Sequence, residues 1–218
     1  QYGASSGTVI VMDPKTGAII AHATAPTFNP NNTKKVALSL MRNPSVQDVY
    51  EPGSTGKVMT MAAALEEKVV TPTTVLSVPY KLKRAGEDFH DHEPHPVQQL
   101  TTSGILAVSS NTGTILIGEK LSNETLHDYL TKFGIGLKTG SGLPGESAGL
   151  LRPVSDWSGT TAPTVAFGQG YSVTAMQATS VFATIANNGV RVSPTVIAGT
   201  SDASGHFTPA ANRTTTQI

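Results

Sequence analysis

Cysteine is absent from these 218 residues, which excludes disulfide staples, thiol catalysis and cysteine-based metal sites. No apolar run is long enough to span a bilayer, and no signal peptide is recognisable. Charge is scarce: Asp, Glu, Lys and Arg make up 14% of the chain, and 15 basic against 15 acidic residues leave a formal net charge of zero. That balance gives no basis for a nucleic-acid or anionic-membrane partner. No internal repeat or low-complexity tract is present. What is there is a chain with abundant small and hydroxyl residues, long enough for one sizeable core or part of a larger domain. Such a composition is compatible with an exported domain.

Local signals alternate between strand and helix. Thr8–Asp13 and Ala18–Ala23 are β-rich and flank Pro14-Lys15-Thr16-Gly17, which predicts a hairpin. Val36–Arg42 reads as a short helix, and a longer one is expected from about Ser54 to Glu67, with Val58, Met61, Ala62 and Leu65 as its core stripe. Pro72–Pro96 reads as a polar loop with one strand near Val75–Tyr80. Helices follow over Thr102–Ala107, Thr112–Leu121 and Glu124–Phe133. Gly134–Arg152 is glycine-rich and irregular. Ser172 or Thr174 caps a predicted helix over Ala175–Ala186, and Gly189–Thr200 returns to strand-like alternation. The tail Ser201–Ile218 reads as a weakly structured excursion. Periodicity alone thus supports a mixed α and β fold.

The chemistry concentrates at Tyr50-Glu51-Pro52-Gly53-Ser54-Thr55-Gly56-Lys57. Ser54 and Lys57 are three residues apart at a helix start, and residues i and i+3 share a helix face. A lysine so placed can activate a serine without a histidine triad. Helix N-terminal amides favour negative charge developing near that serine. To act as a base Lys57 must be neutral, whereas a free lysine titrates near ~10.4; burial and neighbouring positive charge both lower that value. Further along come Ser109-Ser110-Asn111, then Leu137-Lys138-Thr139-Gly140 with Leu143-Pro144-Gly145-Glu146, then Phe167-Gly168-Gln169-Gly170-Tyr171-Ser172-Val173-Thr174.

In this order, and with the opening strand pair Val9–Ala21, these segments resemble the class B penicillin-binding proteins, the D,D-transpeptidases that cross-link bacterial peptidoglycan. The resemblance covers nearly the whole chain. It implies an α+β fold of the penicillin-binding protein and serine β-lactamase type, an antiparallel sheet sandwiched by helices. It implies Ser54 as nucleophile on the D-Ala-D-Ala end of a stem peptide, with an acyl-enzyme then taken by a neighbouring stem's amine. Lys57 would be its base. Ser109 would relay a proton between Lys57 and the leaving amine. Asn111 would orient Lys57 and hold the substrate amide, while Ser110 points away. β-Lactams would acylate the same serine. No cofactor and no metal are implied. A glycosyltransferase and divisome or elongasome proteins are the implied partners, in cell division or cell shape. The implied location is the bacterial cell membrane, with the catalytic domain on its extracytoplasmic side and held by an anchor not found in this chain.

One departure matters. The family's third motif, Lys-Thr-Gly or Lys-Ser-Gly on a cleft-lining strand, normally follows the Phe-Gly-Gln-Gly segment. Lys138-Thr139-Gly140 precedes it and reads as a structural decoy. Residues 1–218 are therefore expected to be the N-terminal and central part of one transpeptidase domain, with an incomplete sheet. The third motif is expected beyond Ile218 or on a separate piece, and Gln1 in place of an initiator Met agrees with a soluble piece of a longer protein. The missing strand would carry one of two oxyanion-hole amides, that of Ser54 being the other. His90, His92 and His95 with Asp88, Asp91 and Glu93 have a spacing that zinc tolerates, but read as a polar loop at the cleft rim. Trp157 and Tyr171 read as packing residues. The competing functions are a D,D-carboxypeptidase or serine β-lactamase, and a β-lactam-binding sensor or inactive homologue that acylates without turnover. No glutamate is assignable as a deacylating base.

Overall fold

The computed structural model describes residues 3–210 and 213–218. In chain order the elements are β1 (Gly7–Met12), β2 (Ile19–Ala25), α1 (Pro44–Gln47), α2 (Lys57–Glu66), β3 (Val75–Val78), β4 (Lys81–Arg84), β5 (Glu87–His90) and β6 (Gln98–Thr101). There follow α3 (Thr102–Ala107), α4 (Asn111–Gly118), α5 (Asn123–Lys132), α6 (Thr161–Ala166), α7 (Ala175–Ala186), β7 (Val190–Val192), β8 (Gly199–Ser201), β9 (Phe207–Pro209) and β10 (Thr215–Gln217). The chain is α+β, and every strand pair among the described residues is antiparallel: β1–β2, β3–β6, β4–β5, β7–β10 and β8–β9. They stand as five two-stranded pieces rather than one continuous sheet. The contacts divide the chain into two compact units.

The first unit comprises the residues through Tyr50, Phe133–Gly149 and the residues from Val173 on. Its hairpin turns where predicted: the Asp13 carbonyl accepts from the Gly17 amide at 2.8 Å. Gly17 sits at φ +69°, and a Cβ there would strike the Ser193 carbonyl, so the position excludes other residues. Helix α7 packs on β1, β7 and α1 through Met176 and Val181, which are buried with Val46, Ile135 and Val173. Thr174 starts it with a capping box. Its hydroxyl accepts from the Gln177 amide at 3.1 Å, and the Gln177 side chain accepts from the Thr174 amide at 2.7 Å. The buried Gln177 amide nitrogen faces the carbonyls of Gly134, Leu137 and Ala148 at 2.8–3.2 Å, tying down the glycine-rich run.

The second unit comprises Glu51–Lys132 and Leu150–Ser172. Its core gathers Met61, Ala64, Val70, Val78, Ile105 and Ile117. Helix α2 is central to it, packing on α3, α4 and α5. A helix surrounded on several sides buries residues all round: Lys57, Met59, Thr60, Met61, Ala63 and Ala64 are buried, while Leu65 is exposed. The expected single stripe is therefore corrected to a wrapped helix.

Other boundaries are corrected too. The helix foreseen over Val36–Arg42 is a 3-10 turn, Leu38–Met41. Pro72–Pro96 holds three strands rather than one, because β4 and β5 form a hairpin around Ala85-Gly86, both at positive φ. The tail supplies the β8–β9 hairpin and β10, which pairs with β7; Ala211 and Asn212 within it lie outside the described residues, as does Gln1. Substituting Thr174 by Ala removes the hydroxyl half of the capping box. Urea unfolding is expected to show a loss of about 1 kcal/mol, and an unchanged midpoint would contradict the assignment.

Candidate active site

Ser54 lies on a 3-10 turn, Gly53–Gly56, that runs directly into α2. The turn is positioned from Phe167–Tyr171. The Gly53 amide donates to the Gly168 carbonyl at 2.8 Å, and the Gly170 amide donates to the Glu51 carboxylate at 2.9 Å. Gly168 is at φ +93°, and a Cβ on it would collide with the Gly53 carbonyl; one on Gly56 would collide with the buried Tyr171 hydroxyl. Close backbone approach is thus the physical reason that Glu-Pro-Gly-Ser and Phe-Gly-Gln-Gly occur together. Thr60 adds a tie from α2, its hydroxyl donating to the Ala166 carbonyl at 2.7 Å.

Ser54 is exposed and Lys57, three residues on, is fully buried. In a 3-10 turn residues i and i+3 eclipse, so both point toward one side. The Lys57 ammonium donates to the Ser109 carbonyl at 2.5 Å and to the Ser109 hydroxyl at 3.2 Å. Among the described residues it makes no hydrogen bond to Ser54. Burial pulls its pKa down from 10.5 to about 8, against the opposing pull of Asp91. The lowering expected from a neighbouring positive charge is absent from that balance.

Ser109 is held in an unusual backbone state. Helix α3 ends in a Schellman arrangement, with the Ser110 amide donating to the Ile105 carbonyl and the Ser109 amide to Leu106, both at 3.0 Å. This puts Ser109 at φ +57°, where glycine is usual. The next residue starts α4: the Ser110 hydroxyl accepts from the Gly113 amide at 2.8 Å. Ser110 is buried and, unlike Ser109 and Asn111, does not line the cleft. Asn111 faces the cleft, but its side-chain amide donates to the His90 carbonyl at 3.0 Å and not to Lys57.

Sequence reasoning missed the role of Asp91. Its side chain is almost wholly buried and accepts from the amides of Asn111 and Thr112, from the Ser110 hydroxyl at 2.7 Å and from His95 at 3.0 Å. Burial opposes its charge, but these donors prevail and hold it below the usual carboxylate range. No local pattern announces this: His95 is four residues on, but Ser110, Asn111 and Thr112 lie about twenty residues away. The loop histidines do not assemble a metal centre: among the described residues no three His, Asp or Glu side chains are grouped to hold one. Ser54, Asp91, His92, Glu93, His95, Gln98, Val108, Ser109 and Asn111 line one open cleft of about 650 Å³.

Lys138-Thr139-Gly140 belongs to the first unit and lies on a loop, not a strand. The Glu146 carboxylate accepts from the Thr139 amide at 2.8 Å, from its hydroxyl and from the Gly140 amide at 3.3 Å, while Lys138 is exposed. The segment is a loop stapled by Glu146.

The penicillin binding protein transpeptidase domain model matches residues 7–217. Penicillin-binding protein PbpB of Mycobacterium tuberculosis is 40% identical over 199 residues, covering 91% of this chain and 29% of that protein. Peptidoglycan D,D-transpeptidase FtsI of Escherichia coli is 37% identical over 188 residues, covering 86% and 31%. The crystal structure of penicillin binding protein 3 from M. tuberculosis, complexed with aztreonam, is 38% identical with a TM-score of 0.93, covering 99% of this chain and 48% of that one. The chain spans less than a third of these two curated relatives.

Substituting Gly168 by Ala is expected to lower the thermal unfolding midpoint more than Gly142→Ala does. Both positions have positive φ, but only at Gly168 does the added methyl meet backbone. Equal losses in calorimetry would contradict the clamp.

Proposed function

This chain belongs to the penicillin-binding protein transpeptidase family, and from that premise we propose that Ser54 forms the acyl-enzyme of a D,D-transpeptidase. The observation that carries the reading is a fully buried lysine, softened to about 8, one 3-10 turn from an exposed serine at the mouth of a cleft.

In this reading Lys57 in its neutral form takes the Ser54 proton as the hydroxyl attacks the penultimate D-alanine carbonyl of a stem peptide. The Ser54 amide supplies one donor to the oxyanion. The proton passes from Lys57 through the Ser109 hydroxyl, 3.2 Å away, to the departing D-alanine amine. An amine from a second stem peptide attacks the ester, and Ser54 recovers its proton by the same route. The Asn111 side chain exchanges its His90 partner for the substrate amide. A β-lactam enters by the first step and stays as the ester.

Residues 1–218 are read as the N-terminal and central part of one transpeptidase domain, with the third motif supplied by residues outside these. The reading extends to a site on the extracytoplasmic side of the bacterial cell membrane, and to a glycosyltransferase with divisome or elongasome proteins as partners. No described helix is long and apolar enough to cross a membrane.

Intact mass after incubation with benzylpenicillin tests the nucleophile. A single adduct is expected on the wild type and on Ser110→Ala and none on Ser54→Ala; equal labelling of Ser54→Ala would sink the assignment. The labelling rate is expected to rise with pH through a midpoint near 8, because the lysine must lose its proton first; a midpoint near 10 would contradict the lowering by burial, and a rate independent of pH from about 6 to 10 would remove Lys57 as the base. Lys138→Ala should label at the wild-type rate, and a loss matching Lys57→Ala in a folded protein would restore Lys138-Thr139-Gly140 to the site.

A further inference from the structure

We propose that Asp91 is a positioning residue for acylation, its buried carboxylate fixing the turn that carries Ser109 and Asn111. The inference rests on the transpeptidase reading of Ser54 and Lys57. It begins from a buried acid that this mechanism does not use. One oxygen of Asp91 receives the first two amides of α4, those of Asn111 and Thr112. The other receives the Ser110 hydroxyl and the His95 ring. Three consecutive residues after Ser109 are therefore tied to a single carboxylate. Ser109 itself must stay at positive φ for its carbonyl and hydroxyl to face Lys57. The Schellman turn at the end of α3 sets that state at a cost a serine bears and a glycine does not, and the Asp91 ties hold the residues that follow against its release.

The same carboxylate bears on Lys57 by charge: Asp91 favours the ammonium, against burial. Around the pair the other titratable side chains are Tyr80, His90, His92, Glu93 and His95. His92 and Glu93 face each other at 3.5 Å in solvent. The Tyr80 ring lies 5.9 Å from that of His95 and 5.7 Å from that of His90, and His90 Nδ1 faces the Asp91 carbonyl. The His95 ring has Nδ1 on the Pro96 carbonyl at 2.7 Å and Nε2 on Asp91, acceptors at both ends, which only the imidazolium satisfies. The Pro96 carbonyl and then Asp91 raise its pKa accordingly. His95 thus shares the Asp91 charge from the cleft side while Lys57 feels it from within.

Charge and geometry separate in two variants. Asp91→Asn keeps an oxygen for the two amides but loses the charge. Asp91→Glu keeps the charge but moves the oxygens. Lys57 is followed by NMR of its side-chain carbon beside Nζ as pH is raised, and benzylpenicillin labelling of Ser54 is timed over the same range.

In Asp91→Asn the Lys57 midpoint is expected to fall by about half a unit, the size of a partly screened charge interaction. In Asp91→Glu the midpoint stays and the labelling rate falls about ten- to a hundredfold through misplacement of the turn. An unmoved midpoint in folded Asp91→Asn, or wild-type rates in both variants, overturns the proposal. If Asp91→Asn does not fold, the Asp91→Glu rate decides alone, and a wild-type rate refutes it. If the wild type takes no label at any pH, the transpeptidase reading has failed, and the NMR midpoints still decide whether Asp91 acts on Lys57.

Discussion

An ammonium group shut away from water must lose its proton or find acceptors, and Lys57 is placed between those outcomes. Burial draws its pKa down to about 8, and the Ser109 carbonyl and hydroxyl hold the proton that remains. Most of the second unit follows from keeping that pair together. Helix α2 is enclosed on several sides so that its first residue is dry. Helices α3 and α4 are separated by only Val108, Ser109 and Ser110, so one helix's end and the next one's cap share a turn. Ser109 is the residue where the chain reverses, in a conformation glycine would take more easily.

The serine turn obeys a different constraint, backbone touching backbone. Gly168 approaches the Gly53 carbonyl so closely that no side chain fits, and Glu51 reaches back to the Gly170 amide. Two segments more than a hundred residues apart in sequence are thereby fixed to each other, and Ser54 is left exposed on a rigid support. In the first unit a similar economy serves structure alone. Gln177 donates to the carbonyls of Gly134, Leu137 and Ala148, and Glu146 accepts from the amides of Thr139 and Gly140, which holds the Lys-Thr-Gly sequence there as a loop.

Features carried by short-range signals were legible in the sequence. The β1–β2 hairpin, the span of α7 with its Thr174 cap, and the Ser54–Lys57 spacing all follow from residues within a few positions of one another. Features set by distant partners were not. The β4–β5 hairpin is hidden in the sequence because Ala85-Gly86 is a weak turn signal inside a polar stretch. The burial of α2 on most sides depends on three other helices, so a one-sided stripe was the wrong inference from its apolar residues. In sequence Asp91 is one more acid among histidines, because most of its donors come from the start of α4, which β5 packs against. Asn111 is expected from the family pattern to orient Lys57 and hold the substrate amide; in the structure its side-chain amide donates to the His90 carbonyl, a partner about twenty residues away.

The central claim is that Ser109 is held in a backbone state unfavourable to itself so that it can serve Lys57. The most direct measurement compares Ser109→Gly with Ser109→Ala, both of which lack the hydroxyl. Positive φ suits glycine, so the Gly variant should be the more stable by about 1 kcal/mol in urea unfolding, while both acylate far more slowly than the wild type. An Ala variant as stable as the Gly variant, or wild-type acylation in either, would contradict the account.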